Sequence, residues 1–448
     1  MTQQLDDLAK FYKSLSNKGA LPLNQSDEYY VEILEKSPES DPILSLFQRI
    51  ELADSESVNL LTGFRGNGKS TQLKRLKDML EENGCQVFLV DMLEYVMMTR
   101  PLELSDFILS LMAALAGTVE SSSEENLKPL SQSYWKRFAN FLSSNVELEK
   151  LNLGIDLGIK ANLGFRLKTD PEFKNQIQQH FKGHLTRLVE DAKVFVTDLV
   201  DKIRELSQDQ DKKVVFLVDS LEQLRGVGED APAIYDSVLE LFSGQAENLS
   251  FPKLHVVYTV PPYLNALAPN LVRNFGENPM VQWPNIHVRN RDNNPDQNGL
   301  EVMEHVINKR FKEWQKYFSQ EQLQELAENS GGDLRDFFRL VREAVGALRI
   351  KLKDNEQAKM DKTIINRATQ QLRNELLPLA EDDARWLAKV HESKQSSLPS
   401  KQNLPDLARF LDSNRIMNYL NGQPWYDVHP LLIEEIENIN AKHKDTSA

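Results

Sequence analysis

The sequence predicts an α/β fold organised on a mostly parallel sheet. Three observations predict it. Short apolar runs at 58–61, 86–91, 214–218, 254–259 and 280–288 are separated by segments of helical period, the pattern of strands joined by crossover helices. The first run leads directly into Gly63-Phe64-Arg65-Gly66-Asn67-Gly68-Lys69-Ser70, which fits G-x-x-x-x-G-K-[ST] at every fixed position. A helix is then expected over 70–80, closed by Asn83-Gly84 as a C-cap. Strand, glycine-rich loop and helix N-terminus in that order make backbone N–H groups and the helix dipole converge on a phosphate.

Composition narrows the class. The chain has 448 residues, 40% hydrophobic and 27% charged, enough for two to four globular domains. Its one cysteine, Cys85, excludes a disulfide framework and a thiolate metal cluster within the chain and suits a reducing cytoplasm. The first ten residues are polar and acidic, unlike a signal peptide. The apolar stretch 107–116 is read as a core helix, too short to span a bilayer, so no membrane partner is expected. A net charge of −14 opposes broad binding to a polyanion such as DNA, while leaving room for a local basic face.

Taken in order, residues 1–50 read as helical, with apolar spacing at 6–15, 30–36 and 44–52. The core extends over 51–297 and ends in the Asn/Asp/Pro-rich run 290–298. The interval between the runs at 86–91 and 214–218 is too long for one crossover, so an insertion is placed at about 95–205, returning through a helix at 189–206. Inside it, every odd position from 151 to 167 is apolar and every even one is Asn, Gly, Asp, Lys or Arg. That is a β pattern with one dry and one wet face, either a hairpin over a neighbouring helix or a partner surface. Residues 298–377 form a helical lid, with helices at 299–318, 319–329, 333–352 and 361–377. Residues 378–440 read as a winged helix: helices at 384–391 and 404–411, then strands at 415–420 and 425–428 joined by Asn421-Gly422, a strong hairpin signal. Residues 441–448 are expected to be a disordered tail.

The candidate site follows from the loop. Gly63, Gly66, Asn67 and Gly68, with Lys69, Ser70 and Thr71, form the expected nucleotide cradle. Lys69 would reach the β- and γ-phosphates, and Ser70 would ligate Mg²⁺. Asp219 ends the run 214–218, where a carboxylate can hold the metal shell. Glu222, three residues on, is either a general base for the attacking water or a solvent-facing residue on the following helix. Thr259 ends its own run and either senses the γ-phosphate or caps the turn into Pro261-Pro262.

With these residues in place, the chain resembles the AAA+ ATPases and the related signal-transducing STAND NTPases over roughly 27–375, with a winged helix behind. The order of motifs is closest to replication-initiator-like members. The resemblance implies ATP and Mg²⁺ as cofactors, ATP hydrolysis, and assembly into a homo-oligomer. Gly332-Asp333-Leu334-Arg335 looks like the lid's G-D-x-R element, which makes Arg335 a sensor reaching the nucleotide in cis. Arg273 sits where such families place an arginine finger acting in trans. The insertion departs from the minimal core and looks more like STAND-type proteins of bacterial conflict and defence systems. The wing, 419–429, has no Lys or Arg, and 404–411 carries one Arg and one Asp, a poor reader of DNA. The main expectation is therefore a nucleotide-dependent switch that controls a protein partner or effector. The alternative is an ATP-dependent, DNA-binding initiator or loader.

Overall fold

Val, Ile, Leu and Phe runs bounded by turn residues become strands here because both of their faces are covered. The computed structural model describes residues 2–15, 23–24, 26–33, 41–121, 125–133, 168–172, 175, 178–179, 183–226, 230–268, 270–276, 278–395, 404–421 and 423–446. In chain order the elements are α1 Thr2–Ser14, α2 Pro42–Glu51, β1 Ser57–Thr62, α3 Lys69–Glu82, β2 Gln86–Asp91, α4 Leu104–Ser121, α5 Leu185–Ser207, β3 Val214–Asp219, α6 Ala231–Leu239, β4 Leu254–Val260, α7 Tyr263–Leu267 and β5 Val281–Gln282. They continue with α8 Gln297–Arg310, α9 Gln320–Asn329, α10 Leu334–Asp354, α11 Lys362–Leu376, α12 Glu381–Ser393, α13 Leu404–Asp412, β6 Ile416–Asn421, β7 Gln423–Val428 and α14 Ile433–Thr446. The chain forms two units, one of Pro42–Thr62 and Gln72–Gln282, the other of Met1–Asp41, Gly63–Thr71 and Trp283–Ala448.

The first unit is the α/β layer. Its sheet has five strands in the order β2-β3-β4-β1-β5, and every pairing is parallel. All residues of β3 and β4 are buried, as central parallel strands require. The apolar stretch expected at 107–116 is longer in the structure: α4 has 18 residues, long and apolar enough to cross a membrane, and 78% of it is buried in the protein. The additional residues are 104–106 and 117–121, and Leu104 and Val119 among them are also buried. Phe107 meets Phe242 and Tyr258 at centroid distances of 6.4 and 6.0 Å, so the helix serves as core. The segment 151–167 lies outside the described residues.

The second unit is helical and carries the hairpin. Its lid helices start at side-chain caps that satisfy the first free N–H groups: Ser319 forms a capping box with Gln322, and Asp333 and Asp361 cap α10 and α11. One expected helix, 299–318, is broken. It ends at Arg310, because Phe311 turns extended (φ −152°) and stacks on Phe11 at 4.5 Å. A short 3₁₀ turn, Trp314–Lys316, follows. Residues 30–33 are not helical; Ile33 instead packs on the lid core. The hairpin pairs Asn421 with Gln423 across the turn. Of the tail expected to be disordered, 441–446 are helical, since α14 runs to Thr446; 447–448 lie outside the described residues.

Candidate nucleotide-binding site

β1 ends at Thr62 and hands the chain to the loop, which closes on itself. Lys69 is only 3% exposed. Its Nζ donates to the carbonyls of Gly63 at 2.8 Å and Phe64 at 2.5 Å. Gly66 has φ +98°, a conformation that L side chains rarely adopt, and a Cβ there would stand 2.7 Å from Arg335 Cβ and 3.0 Å from its Nε. The glycine therefore lets the loop backbone and the arginine approach one another. Asn67 is braced twice: its carbonyl accepts the Trp283 indole N–H at 2.8 Å, and its amide donates to Asn285 Oδ1. Thr71 Oγ1 accepts the Leu23 N–H at 3.2 Å.

Arg335 lies in the first turn of α10, exposed, against this loop. The turn that aims it is built from Gly331 and Gly332, at φ +60° and +80°. A Cβ on Gly332 would lie 1.8 Å from the Ile286 carbonyl oxygen, and Ile286 N–H donates to Gly332 O at 3.2 Å. Asp333 then caps the helix through the Asp336 N–H at 3.0 Å. Asp333 is fully buried, and burial, aided by the Asp336 carboxylate, pushes its pKa from 3.8 up to about 7. Asp336 goes the other way. Burial opposes the shift, but His429, Arg339 and Arg335 outweigh it and hold the carboxyl below its ordinary value. His429 Nε2 stands 3.7 Å from Asp336 Oδ2, while its Nδ1 accepts the Leu431 N–H. Asn414 Nδ2 donates to Asp333 Oδ2 at 3.3 Å, and Tyr419 OH donates to the Gly331 carbonyl at 2.8 Å. The hairpin is thus hydrogen-bonded to the turn that carries the arginine.

In the α/β unit, β4 separates β3 from β1, and Leu61 is in register with Thr259. Asp219, Glu222 and Thr259 gather at the C-terminal end of this sheet, and all three are buried. Ser220 adopts φ +73°, so the chain makes a left-handed step between Asp219 and the 3₁₀ turn Leu221–Gln223. Thr259 Oγ1 accepts the Leu221 N–H at 3.0 Å. Its oxygen therefore anchors the turn Leu221–Gln223. Glu222 is not the solvent-facing residue of the alternative reading. Arg273 is exposed on the 3₁₀ turn Leu271–Phe275.

Trp283 and Asn285 are site residues that sequence reasoning missed. The run 280–288 reads as one strand, but β5 stops at Gln282. Pro284 was the available signal, since it cannot donate to a ladder. Beyond it the backbone serves the loop and the lid turn.

The described residues contain no group of three or more His, Cys, Asp or Glu side chains able to hold a metal. A divalent ion on a nucleotide site of this kind takes few protein oxygens and completes its shell with phosphate oxygens and water, the usual manner for Mg²⁺. The residues fit such a ligand: glycines keep side chains out of the loop, and a lysine and an arginine border it.

A parallel sheet whose first strand feeds such a loop is a P-loop α/β core, here with a helical lid and a C-terminal hairpin-bearing domain. No protein-family model matches the chain, and no curated protein does. Among solved structures it is similar to the Aeropyrum pernix Orc2 protein in its ADP form, at 11% identity and TM-score 0.40, covering 93% of this chain and 97% of that one. The same protein in ADPNP–ADP complexes gives 11% identity and TM-score 0.38 over 93% and 98%. Cdc6p from Pyrobaculum aerophilum gives 11% and 0.36 over 94% and 99%.

Proposed function

We propose that the chain is an ATP-binding and ATP-hydrolysing AAA+-type switch with initiator-like organisation. The observation that carries the reading is the contact of Arg335 with the loop at Gly66, which puts a cation from the lid where a phosphate-binding loop opens. ATP would lie on the loop, held by the backbone N–H groups from Gly63 to Ser70. Lys69 would exchange its loop carbonyls for the β- and γ-phosphates. Ser70 and Asp219 would hold Mg²⁺, which supplies charge neutralisation on the phosphates. Glu222 would orient and deprotonate the attacking water. Thr259 would position the turn that carries Glu222. Arg335 would read the γ-phosphate, and its loss on hydrolysis would release the lid turn together with the hairpin bonded to it. Arg273 would complete the site of a neighbouring subunit in a homo-oligomer.

The purpose of the switch is the finer question. The structures named above are an Orc2 and a Cdc6 protein, so the initiator-type alternative gains from them, and the STAND and conflict-defence expectations do not. The charge pattern bears on direct DNA contact. In the C-terminal domain Arg409 pairs with Asp383, Arg385 with Asp382 and Lys394 with Asp427. These cations are neutralised within the fold, which favours protein docking by this domain; salt-sensitive binding to duplex DNA measures the alternative directly.

The test of the ATPase reading is Lys69→Ala. Calorimetry with Mg·ATP should show binding lost, and phosphate release should fall to background. Unaltered binding and turnover would remove the assignment.

A further inference from the structure

A second concave site lies in the helical unit, away from the phosphate loop. It is a groove of about 510 Å³ between α1, α10 and α11, within the range of ligand-binding clefts. Its floor is made of small residues: Gly346 and Ala347 of α10, Ala9 of α1 and Ala368 of α11. Small residues on a helix surface let another backbone come close.

The walls are apolar and face solvent. Ile350 is 60% exposed and Tyr12 is 36% exposed. They account for two of the five large hydrophobic side chains exposed among the described residues, and they flank the same groove. Scattered exposed apolar residues need no explanation, but a pair facing one cleft does.

The rim is basic. Lys13, Arg349 and Arg367 border the groove, against one acidic residue, Glu343. Neither Lys13 nor Arg367 forms an ion pair among the described residues. Arg349 is fixed in place by the Leu5 carbonyl, which its Nε reaches at 3.1 Å. Arg342 lies over the Tyr12 ring at 5.6 Å and holds that ring in place. In a chain of net charge −14 this is a local reversal of sign. Screening at physiological ionic strength extends over roughly 8 Å, so an incoming ligand feels the rim rather than the total charge.

We propose that this groove docks an acidic amphipathic helix of a partner protein. One or two apolar side chains would drop between Tyr12 and Ile350, and carboxylates on the flanks would meet Lys13, Arg349 and Arg367. This is helix-in-groove recognition with anchors at i, i+3 or i+4 and i+7. A nucleic-acid strand fits less well: the walls are aliphatic apart from one aromatic ring, and Glu343 would face the phosphates. The proposal is independent of the nucleotide reading, since none of these residues touches the loop.

The experiment uses the full chain and a displayed library of 16-residue helical peptides with varied surface positions. Selection should enrich acidic sequences with helically spaced apolar residues. Binding of the enriched peptides should fall at least tenfold for Ile350→Glu and for Arg367→Glu, and should weaken as NaCl is raised. Both positions are exposed, so folding is expected to persist; an unchanged thermal unfolding midpoint, with Mg·ADP binding intact, confirms it. Three results would overturn the proposal: enriched peptides that are neutral or basic, enriched peptides that bind wild type and Ile350→Glu alike, or a dT20 oligonucleotide or self-association that is the interaction lost in the variants.

Discussion

Replacing Asp333 by Asn isolates the electrostatics of the lid turn. Asp333 is fully buried between Asp336 and Asn414, two residues before Arg335 in the chain, and its pKa rises from 3.8 to about 7. The folded protein therefore holds this proton more tightly than the unfolded chain does. Stability from this group is fully present below pH 3.8, falls as pH rises, and is lost once pH passes about 7. A gap of about 3 pH units corresponds to roughly 4 kcal/mol. Asn cannot titrate, yet its side-chain oxygen can still cap the Asp336 N–H. Asp336 has the opposite sign, because its pKa is lowered; its contribution is lost only as pH falls below the ordinary carboxyl range, outside the window of Asp333. The variant should thus match wild type near pH 4 and exceed it progressively up to pH 8. At about 2–4 °C per kcal/mol for a domain of this size, the difference in Tm should approach 10 °C. Circular dichroism melts of both proteins at pH 4, 5, 6, 7 and 8 measure it. Tm curves that stay parallel across that range would refute the argument that burial of this carboxyl shapes the turn.

Three further outcomes follow from the site. Gly66→Ala puts a methyl 2.7 Å from Arg335 Cβ at φ +98°, a strain of about 1–3 kcal/mol before the clash is counted; Mg·ADP affinity should drop by at least tenfold, and an unchanged Kd would deny the close approach. Thr259→Val removes the acceptor of the buried Leu221 N–H, which costs about 1–3 kcal/mol; phosphate release should fall while nucleotide affinity holds, and a loss of affinity alone would assign Thr259 to the ligand instead. Arg273→Ala should lower turnover and be rescued by mixing with Glu222→Gln subunits, as a finger supplied in trans requires; mixtures no more active than the separate variants would end that role.

Much of the α/β unit was legible because its signals are local. The strands at 86–91 and 214–219 are continuous apolar runs, and the loop is spelled residue by residue. The caps at Ser319, Asp333 and Asp361 could likewise be read as helix starts. What escaped depends on contacts across long sequence distances. Nothing near Phe311 says that its ring stacks on Phe11, so the helix break was missed. The early end of β5 follows from Trp283 and Asn285 turning toward Asn67, over 200 residues away in sequence. The Gly66–Arg335 approach could be expected only through a resemblance; spacing alone did not give it. His429 meets Asp336, 93 residues earlier in the chain, another contact that local sequence does not announce.

The sheet order has a consequence for synthesis. β1 finds its neighbours only in β4 and β5, and Ser57 lies 198 residues before its partner His255. At about 5–20 residues per second, ribosomes need on the order of 10–40 s to supply that partner. Meanwhile β1 has two open edges, while β2 and β3 can already pair. Such late closure by distant segments is slow and exposes strands that associate with other chains. Cells making this protein should therefore hold its nascent β1 with chaperones until residue 254 emerges, and fragments ending before β4 should aggregate rather than fold.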